Sequence, residues 1–238
     1  MSNWQERTAL LIGDEAVARL NAARVIVFGV GGVGGHLVEA LARCGVGSLT
    51  LVDSDRVSET NINRQIIATR STVGMYKTEA FRERIADINP DCKVECRSVF
   101  YSEENADEFD LSSYDYVVDC IDTLPPKVNL IAAALERGLP VVSSMGAGAK
   151  TDPTKMDICD IAKTHHCPLA HMLRKRLHKI GIRTGFQAVF SPEPVREGAM
   201  ILCEEQNKKS NTGTISYIPA LFGIGCASVV IRGLIGEM

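Results

Sequence analysis

Residues 24–65 read RVIVFGVGGVGGHLVEALARCGVGSLTLVDSDRVSETNINRQ, and they decide the fold. The run Val25–Phe28 has the apolar continuity of a strand buried on both faces. Gly29, Gly31, Gly32, Gly34 and Gly35 follow it. Next comes a helical pattern with Leu37, Val38, Leu41 and Ala42 on one face, and a second apolar run, Leu49–Val52, that ends at Asp53. Strand, glycine turn, helix, strand and acid are the parts of one βαβ unit. Glycines let a phosphate approach backbone without a Cβ in the way. The helix that starts there aims unpaired N–H groups and a positive dipole end at the anion. The Gly29-x-Gly31-x-x-Gly34 spacing matches the dinucleotide fingerprint, with Asp53 placed for ribose hydroxyls. These glycines also fit a turn that only packs helix on strand, so on their own they specify a nucleotide without saying which.

The segment after Asp53 narrows the choice. Asp55, Asn61, Asn63, Arg64 and Gln65 crowd a stretch with little periodicity, and Lys77 opens a helix expected to run to Ile88, where Asn89-Pro90 stops it. A lysine at a helix start opposes the dipole unless an anion is near. A triphosphate carries more charge than a dinucleotide's pyrophosphate and calls for cations such as Arg64 and Lys77. No GK[ST] loop occurs, which excludes a P-loop.

The rest of the chain extends the same alternation. Residues 5–22 read as a helix broken at Gly13-Asp14, with Asp14 capping the second piece. A half-buried strand is expected over 92–99 and a short helix over 103–111. The buried strand Tyr116–Val118 ends in Asp119-Cys120-Ile121-Asp122. Carboxylates at that end of a parallel strand face the ligand crevice. Asp122 is accordingly the candidate Mg²⁺–phosphate ligand, and Asp119 is expected to bond within the loop. A helix from Pro125-Pro126 to about Arg137, a strand at 141–143 and a small-residue turn at 146–149 come next. Beyond 150 we expect strands at 154–162, 186–190 and 214–218, a helix from Pro168 to His178, and a polar loop over 191–213. The apolar stretch Ile218–Ile235 is interrupted by Arg232 and is expected to be a buried or dimer-forming helix, with a membrane-associated tail as the alternative. The fold class is α/β: a Rossmann-like fold with a mostly parallel sheet, extended by antiparallel strands in the C-terminal half. One domain, 1–238, is expected, with a nucleotide-binding half (1–150) and a substrate and dimer half (151–238).

A net charge of −3 implies no global attraction to nucleic acid, so any polyanion site must be local. Such a patch exists. Between Asp160 and Glu193 there is no acidic residue, while Lys163, Arg174, Lys175, Arg176, Lys179 and Arg183 fall in the interval with four of the five histidines. A helix over 169–180 presents several of these cations together, as a phosphate backbone requires; a merely solvated charged helix has the same composition. The eight cysteines form no CxxC pair, and the polar start MSNWQERT has no secretory pattern, so a reduced, cytoplasmic protein is expected.

The combination of GVGGVG (29–34), DSD (53–55), NINRQ (61–65), Lys77 and DCID (119–122) resembles the adenylating enzymes of the ThiF/MoeB, ubiquitin-activating type over residues 5–150. Within that superfamily, RTALLIG (7–13), ALARCGVGSLTLVD (40–53), DIAKTHHCPLAHMLRKRL (160–177) and FSPEP (190–194) are similar to the dehydratases of threonylcarbamoyladenosine in tRNA. The resemblance implies an ATP-binding site with Mg²⁺. Asp53 and the Gly29–Gly34 turn would hold adenosine, Asp55, Asn61 and Asn63 would line the pocket, and Arg64 and Lys77 would meet the triphosphate. It also implies a homodimer in which Arg7 reaches the partner's ATP site. The activity implied is adenylation of a carboxylate on modified tRNA, followed by cyclisation with loss of water. Lys163, Arg174, Lys175, Arg176 and Lys179 would bind the nucleic acid, and a sulfur-transfer partner remains open. The alternatives are adenylation of a sulfur-carrier protein's C-terminal glycine, an NAD-binding oxidoreductase, and a nucleotide-binding module without catalysis.

Overall fold

The computed structural model describes residues 3–205 and 208–237. Seven strands form one sheet in the order β3-β2-β1-β4-β5-β7-β6: β1 Arg24–Phe28, β2 Ser48–Val52, β3 Lys93–Arg97, β4 Tyr116–Asp119, β5 Val141–Ser144, β6 Asp157–Asp160 and β7 Gln187–Phe190. All neighbours are parallel except β6, which closes the edge antiparallel to β7. The C-terminal half therefore extends the sheet, as its lack of linker composition leads one to expect. Strand order reverses between β1 and β4, and there the carboxyl ends of two strands diverge into a crevice.

Helices cover both faces. Helices α1 Glu6–Ile12, α2 Asp14–Ala22, α3 Gly34–Arg43, α4 Lys77–Ile88, α5 Leu124–Glu136, α6 Pro168–Lys179 and α7 Tyr217–Ile235 alternate with the strands. Because side chains alternate along a strand, Val25 and Val27 join the core under α2, α3, α4 and α7, while Ile26 and Phe28 join the core under α5 and α6.

Several local expectations are corrected. Asp14 does not cap α2: Gly13 is the cap, at φ 84°, and Asp14 is the first helical residue. The stretch 103–111 is a 3-10 turn, Glu103–Glu108, followed by another at Leu111–Ser113. The strand expected over 154–162 shrinks to Asp157–Asp160 between two 3-10 turns. The loop over 191–213 contains an antiparallel hairpin, β8 Met200–Glu205 and β9 Lys208–Thr212, whose residues 206 and 207 lie outside the described residues. Residues 214–218 are not a strand; α7 starts at Tyr217. Their β-branched composition fits a strand, but Pro219 sits comfortably in a helix's first turn, where its missing N–H costs nothing.

Helix α7 is long and apolar enough to cross a membrane. Here Ile218, Phe222, Cys226, Val229 and Val230 are buried in the core. A Cβ at Gly223 would lie 2.4 Å from the Val33 carbonyl oxygen, so this glycine sets how closely α7 approaches α3.

Glu39 ties α3 to α4. Its carboxylate accepts from Arg43 Nη2 at 2.8 Å and from Arg84 Nη2 at 3.0 Å and Nε. Burial alone would raise its pKa, but the two guanidinium groups outweigh it and hold the carboxyl below the ordinary glutamate range. A depressed carboxyl contributes stability above its unfolded pKa and loses it as pH falls through the folded value. Glu39→Gln is therefore expected to cost about 1–2 kcal/mol in urea unfolding at pH 7. The gap to wild type should close as pH drops below the ordinary glutamate value; a gap independent of pH would rule out the ionic account.

Candidate active site

At the crevice a cleft of ≈ 490 Å³ is lined by Gly29, Gly31, Gly32, Gly34, Asp53, Asp55, Asn61, Arg64, Gln65, Lys77, Phe100, Asp122 and Thr123, among others. Its floor cannot tolerate side chains. Gly29 has φ 85°, and a Cβ there would stand 2.8 Å from the Cys120 carbonyl oxygen. A Cβ on Gly34 would stand 1.9 Å from the Gly29 oxygen. The turn is thus wound against the end of β4, and the N-terminus of α3 opens into the cleft with the unpaired donors of a helix start.

Asp53 is nine-tenths buried. Its Oδ2 accepts from Val30 N at 2.9 Å and its Oδ1 from Asp55 N at 2.9 Å. Burial raises its pKa, against the pull of Lys77 3.7 Å away. Lys77 is itself buried, and its ammonium donates to Asp55 Oδ2 at 2.6 Å. Among the described residues Arg64 meets only neutral acceptors: Nη1 donates to Thr60 O and to Asn63 Oδ1, both at 2.8 Å. Partial burial lowers its pKa.

Two polar atoms beside this cleft lack a partner. Gln65 Oε1 and Thr123 Oγ1 are buried and make no hydrogen bond among the described residues, although both residues line the cleft. Such atoms are costly unless a ligand or water meets them. With the glycine floor and Arg64, they suit a polar, anionic ligand. Thr123 and Phe100 carry no motif that sequence reading could have used; Gln65 stands inside NINRQ, where its polarity was the only signal.

Asp122 is exposed and lines the cleft at the start of α5. Asp119 does not: it is fully buried, with Oδ1 accepting from Ile121 N at 3.1 Å and Oδ2 accepting from Ser143 Oγ at 2.6 Å and Lys127 Nζ at 2.7 Å. Lys127, also fully buried, donates further to Ile121 O at 2.8 Å. No sequence signal marked this lysine, because it sits among apolar residues of a helix. Asn63 is absent from the cleft lining; its amide donates to Thr214 O at 3.0 Å and its oxygen holds Arg64.

A second cleft of ≈ 1350 Å³ adjoins the first and shares Arg64, Phe100, Asp122, Thr123, Ala147, Gly148 and Thr214 with it. Arg176 also lines it. Lys163, Lys175, Arg176 and Lys179 are exposed, whereas Arg174 is turned inward and donates to Thr164 Oγ1. Arg174 is thereby removed from the free cations of the basic segment. Arg7 stands exposed on α1 and lines neither cleft. Among the described residues no group of three or more His, Cys, Asp or Glu gathers as a metal cage.

The ThiF family model matches residues 5–238. The chain is 49% identical over 244 residues to the tRNA threonylcarbamoyladenosine dehydratase of Bacillus subtilis, covering 98% of this chain and 94% of that protein. It is 32% identical over 225 residues to the sulfur carrier protein adenylyltransferase of Thermus thermophilus, covering 94% and 74%. The crystal structure of Escherichia coli tRNA N6-threonylcarbamoyladenosine dehydratase in complex with ATP superposes with TM-score 0.89 at 36% identity, covering 100% of this chain and 97% of that one.

The buried Asp119–Lys127 pair fixes the turn that carries Asp122. Lys127→Met, which strands a carboxylate in the core, is expected to cost about 3–5 kcal/mol in chemical denaturation. Adding Asp119→Asn should recover part of that loss. A single variant within about 1 kcal/mol of wild type would show that the pair does not hold the turn.

Proposed function

Since this chain belongs to the ThiF family, we propose that it is an ATP-dependent dehydratase of threonylcarbamoyladenosine in tRNA. The observation that carries the substrate assignment is the junction of the clefts. The nucleotide cleft opens into a larger one with space for a modified nucleoside, and Arg64 and Asp122 stand at their common rim. Sulfur-carrier activation needs the same adenylation chemistry. Greater identity to the dehydratase, and the exposed basic face of α6, favour tRNA.

A carboxylate resists attack because its leaving group would be oxide. In the proposed reaction its oxygen attacks the α-phosphorus of ATP, the bond to pyrophosphate breaks, and an acyl-adenylate forms. A nucleophile within the substrate's own carbamoyl group then attacks the activated carbonyl carbon, and AMP leaves. The net change is loss of one water from the nucleoside as ATP becomes AMP and pyrophosphate. The second step needs no enzyme nucleophile, since both reacting groups share one molecule.

Asp53 and the glycine turn hold the adenosine, with Asp55 and Asn61 beside them. Arg64 and Lys77 neutralise phosphate charge where it grows. Asp122 would hold Mg²⁺, which supplies further charge neutralisation; one carboxylate plus phosphate oxygens suits this ion, which seldom uses an all-protein cage. Asn63 acts by aiming Arg64. We further propose a homodimer in which Arg7 reaches the partner's cleft. Helix α1 buries none of its residues, and Leu10 and Leu11 are 81% and 85% exposed, an apolar face that a second copy would cover.

Incubation with ATP, Mg²⁺ and tRNA bearing threonylcarbamoyladenosine, followed by mass analysis of the nucleosides, should show a product lighter by one water. Arg64→Ala and Asp122→Asn are each expected to lower kcat/KM by about 100-fold or more while leaving unfolding midpoints near wild type. If only a small carrier protein elicits pyrophosphate release, the sulfur-carrier alternative takes its place.

The exposed cations of α6 give a separate test. Lys175→Glu, Arg176→Glu and Lys179→Glu together should weaken tRNA binding and flatten its salt dependence without changing ATP affinity. Unaltered tRNA affinity would show that α6 is merely a solvated face.

A further inference from the structure

Lys150 lines the larger cleft but not the nucleotide cleft. Only 4% of it is exposed, and among the described residues its ammonium has one partner, the neutral Glu193 backbone oxygen at 2.6 Å. Among the described residues no carboxylate forms an ion pair with it. The nearby Glu193 side chain is engaged elsewhere: it accepts from Thr151 N and Asp152 N, both at 3.0 Å. Burial lowers the pKa of Lys150, outweighing the opposing pull of the nearby Glu193 carboxylate. A buried ammonium satisfied by one carbonyl has donor capacity left and gains most from an anion.

The surroundings favour the same ligand. Cys167, Pro168 and Leu169, at the N-terminus of the 12-residue α6, line the cleft, and no side chain caps that helix end. Its donors and dipole add to the field of Lys150. Arg176 joins them from the same helix. The carboxylates of this cleft, Glu103, Glu104 and Asp122, come from other segments: the 3-10 turn after β3 and the turn after β4.

We propose, on the premise that the substrate is tRNA, that Lys150 with the α6 N-terminus and Arg176 forms a phosphodiester subsite for a backbone phosphate flanking the modified adenosine. The substrate carboxylate has to meet ATP at the rim shared by both clefts, where Arg64 and Asp122 stand. Lys150 belongs only to the part of the larger cleft beyond that rim, so its anion is a different group. The subsite positions the nucleoside and takes no part in bond making.

The test is a double-mutant cycle on an anticodon stem-loop RNA bearing the modification. One arm is Lys150→Met, with Lys150→Arg as the charge-preserving control. The other arm replaces each flanking phosphate in turn by a neutral methylphosphonate. Lys150→Met should weaken RNA binding about 5- to 10-fold, lower the salt slope by about 0.7, and leave ATP affinity unchanged, which also reports a folded protein. Lys150→Arg should retain most of the affinity. The methylphosphonate at one position should weaken wild-type binding by a similar factor and the Lys150→Met variant hardly at all. Independent penalties at both positions would overturn the subsite. So would a Lys150→Met defect confined to RNA that carries the modification, which would assign the lysine to the threonyl carboxylate. If wild type neither binds nor dehydrates the modified RNA, the tRNA premise itself falls and the subsite with it.

Discussion

Everything at the carboxyl end of the sheet depends on one buried contact, the Asp119 carboxylate against the Lys127 ammonium at 2.7 Å, both fully excluded from solvent. Removing two charges from water is costly, and mutual attraction compensates only if the remaining hydrogen-bonding capacity is satisfied. Here it is: Ser143 reaches Asp119 from β5, Ile121 N closes the turn, and Lys127 ties α5 to the Ile121 carbonyl. One ion pair thus joins β4, β5, α5 and the turn leading to Asp122. That turn in turn limits the glycine loop, because the Cys120 carbonyl leaves no room for a Cβ on Gly29. The nucleotide cleft is shaped by backbone held from below, before any ligand arrives.

The second constraint is how an acidic chain distributes its cations. With a net charge of −3, attraction must come from placement rather than total charge. The cations divide into groups by depth. Lys163, Lys175 and Lys179 are exposed, where long-range attraction acts and salt screens it. Arg64 is half-buried and Lys150 buried, where a single contact is screened far less. Arg174, from the same basic run, serves structure by bonding Thr164. Composition revealed the run, but only packing separates the guanidinium group that steadies a loop from those left free.

How much the sequence disclosed is governed by the same physics. Helix α4 runs over Lys77–Ile88 as periodicity and Asn89-Pro90 indicate, since both ends are set by local chemistry. Strands β1, β2 and β4 were legible because burial on both faces demands continuous apolar runs. The stretch 214–218 was not, since strand and helix compete over so short an apolar run and only α7's burial decides. At the site, residues with a spacing signature, Gly29 to Gly34, Asp53, Arg64, Lys77 and Asp122, do line one cleft. Asn63 has the same signature yet turns away to Thr214. Lys127, Lys150 and Thr123 were invisible because their significance lies in what surrounds them in space.

Arg64 and Lys77, though they share a cleft, are not equivalent. Lys77 already has Asp55 at 2.6 Å and Asp53 at 3.7 Å, so an incoming phosphate competes with two carboxylates for it. Arg64 has only a carbonyl and an amide oxygen, neither charged. At 4 Å, a unit charge pair in a medium of effective dielectric 20 is worth about 4 kcal/mol, so compensation already in place removes most of what a new anion could gain. Arg64 therefore keeps more of its charge available to an anion than Lys77 does. Lys77 also holds Asp53 and Asp55 in place, and its charge opposes the rise in pKa that burial gives Asp53. The loop carrying Arg64 is held by Asn63 through Thr214, which borders both clefts. Asn63, which turns away from the first cleft, thus ties the arginine to a wall that both clefts share.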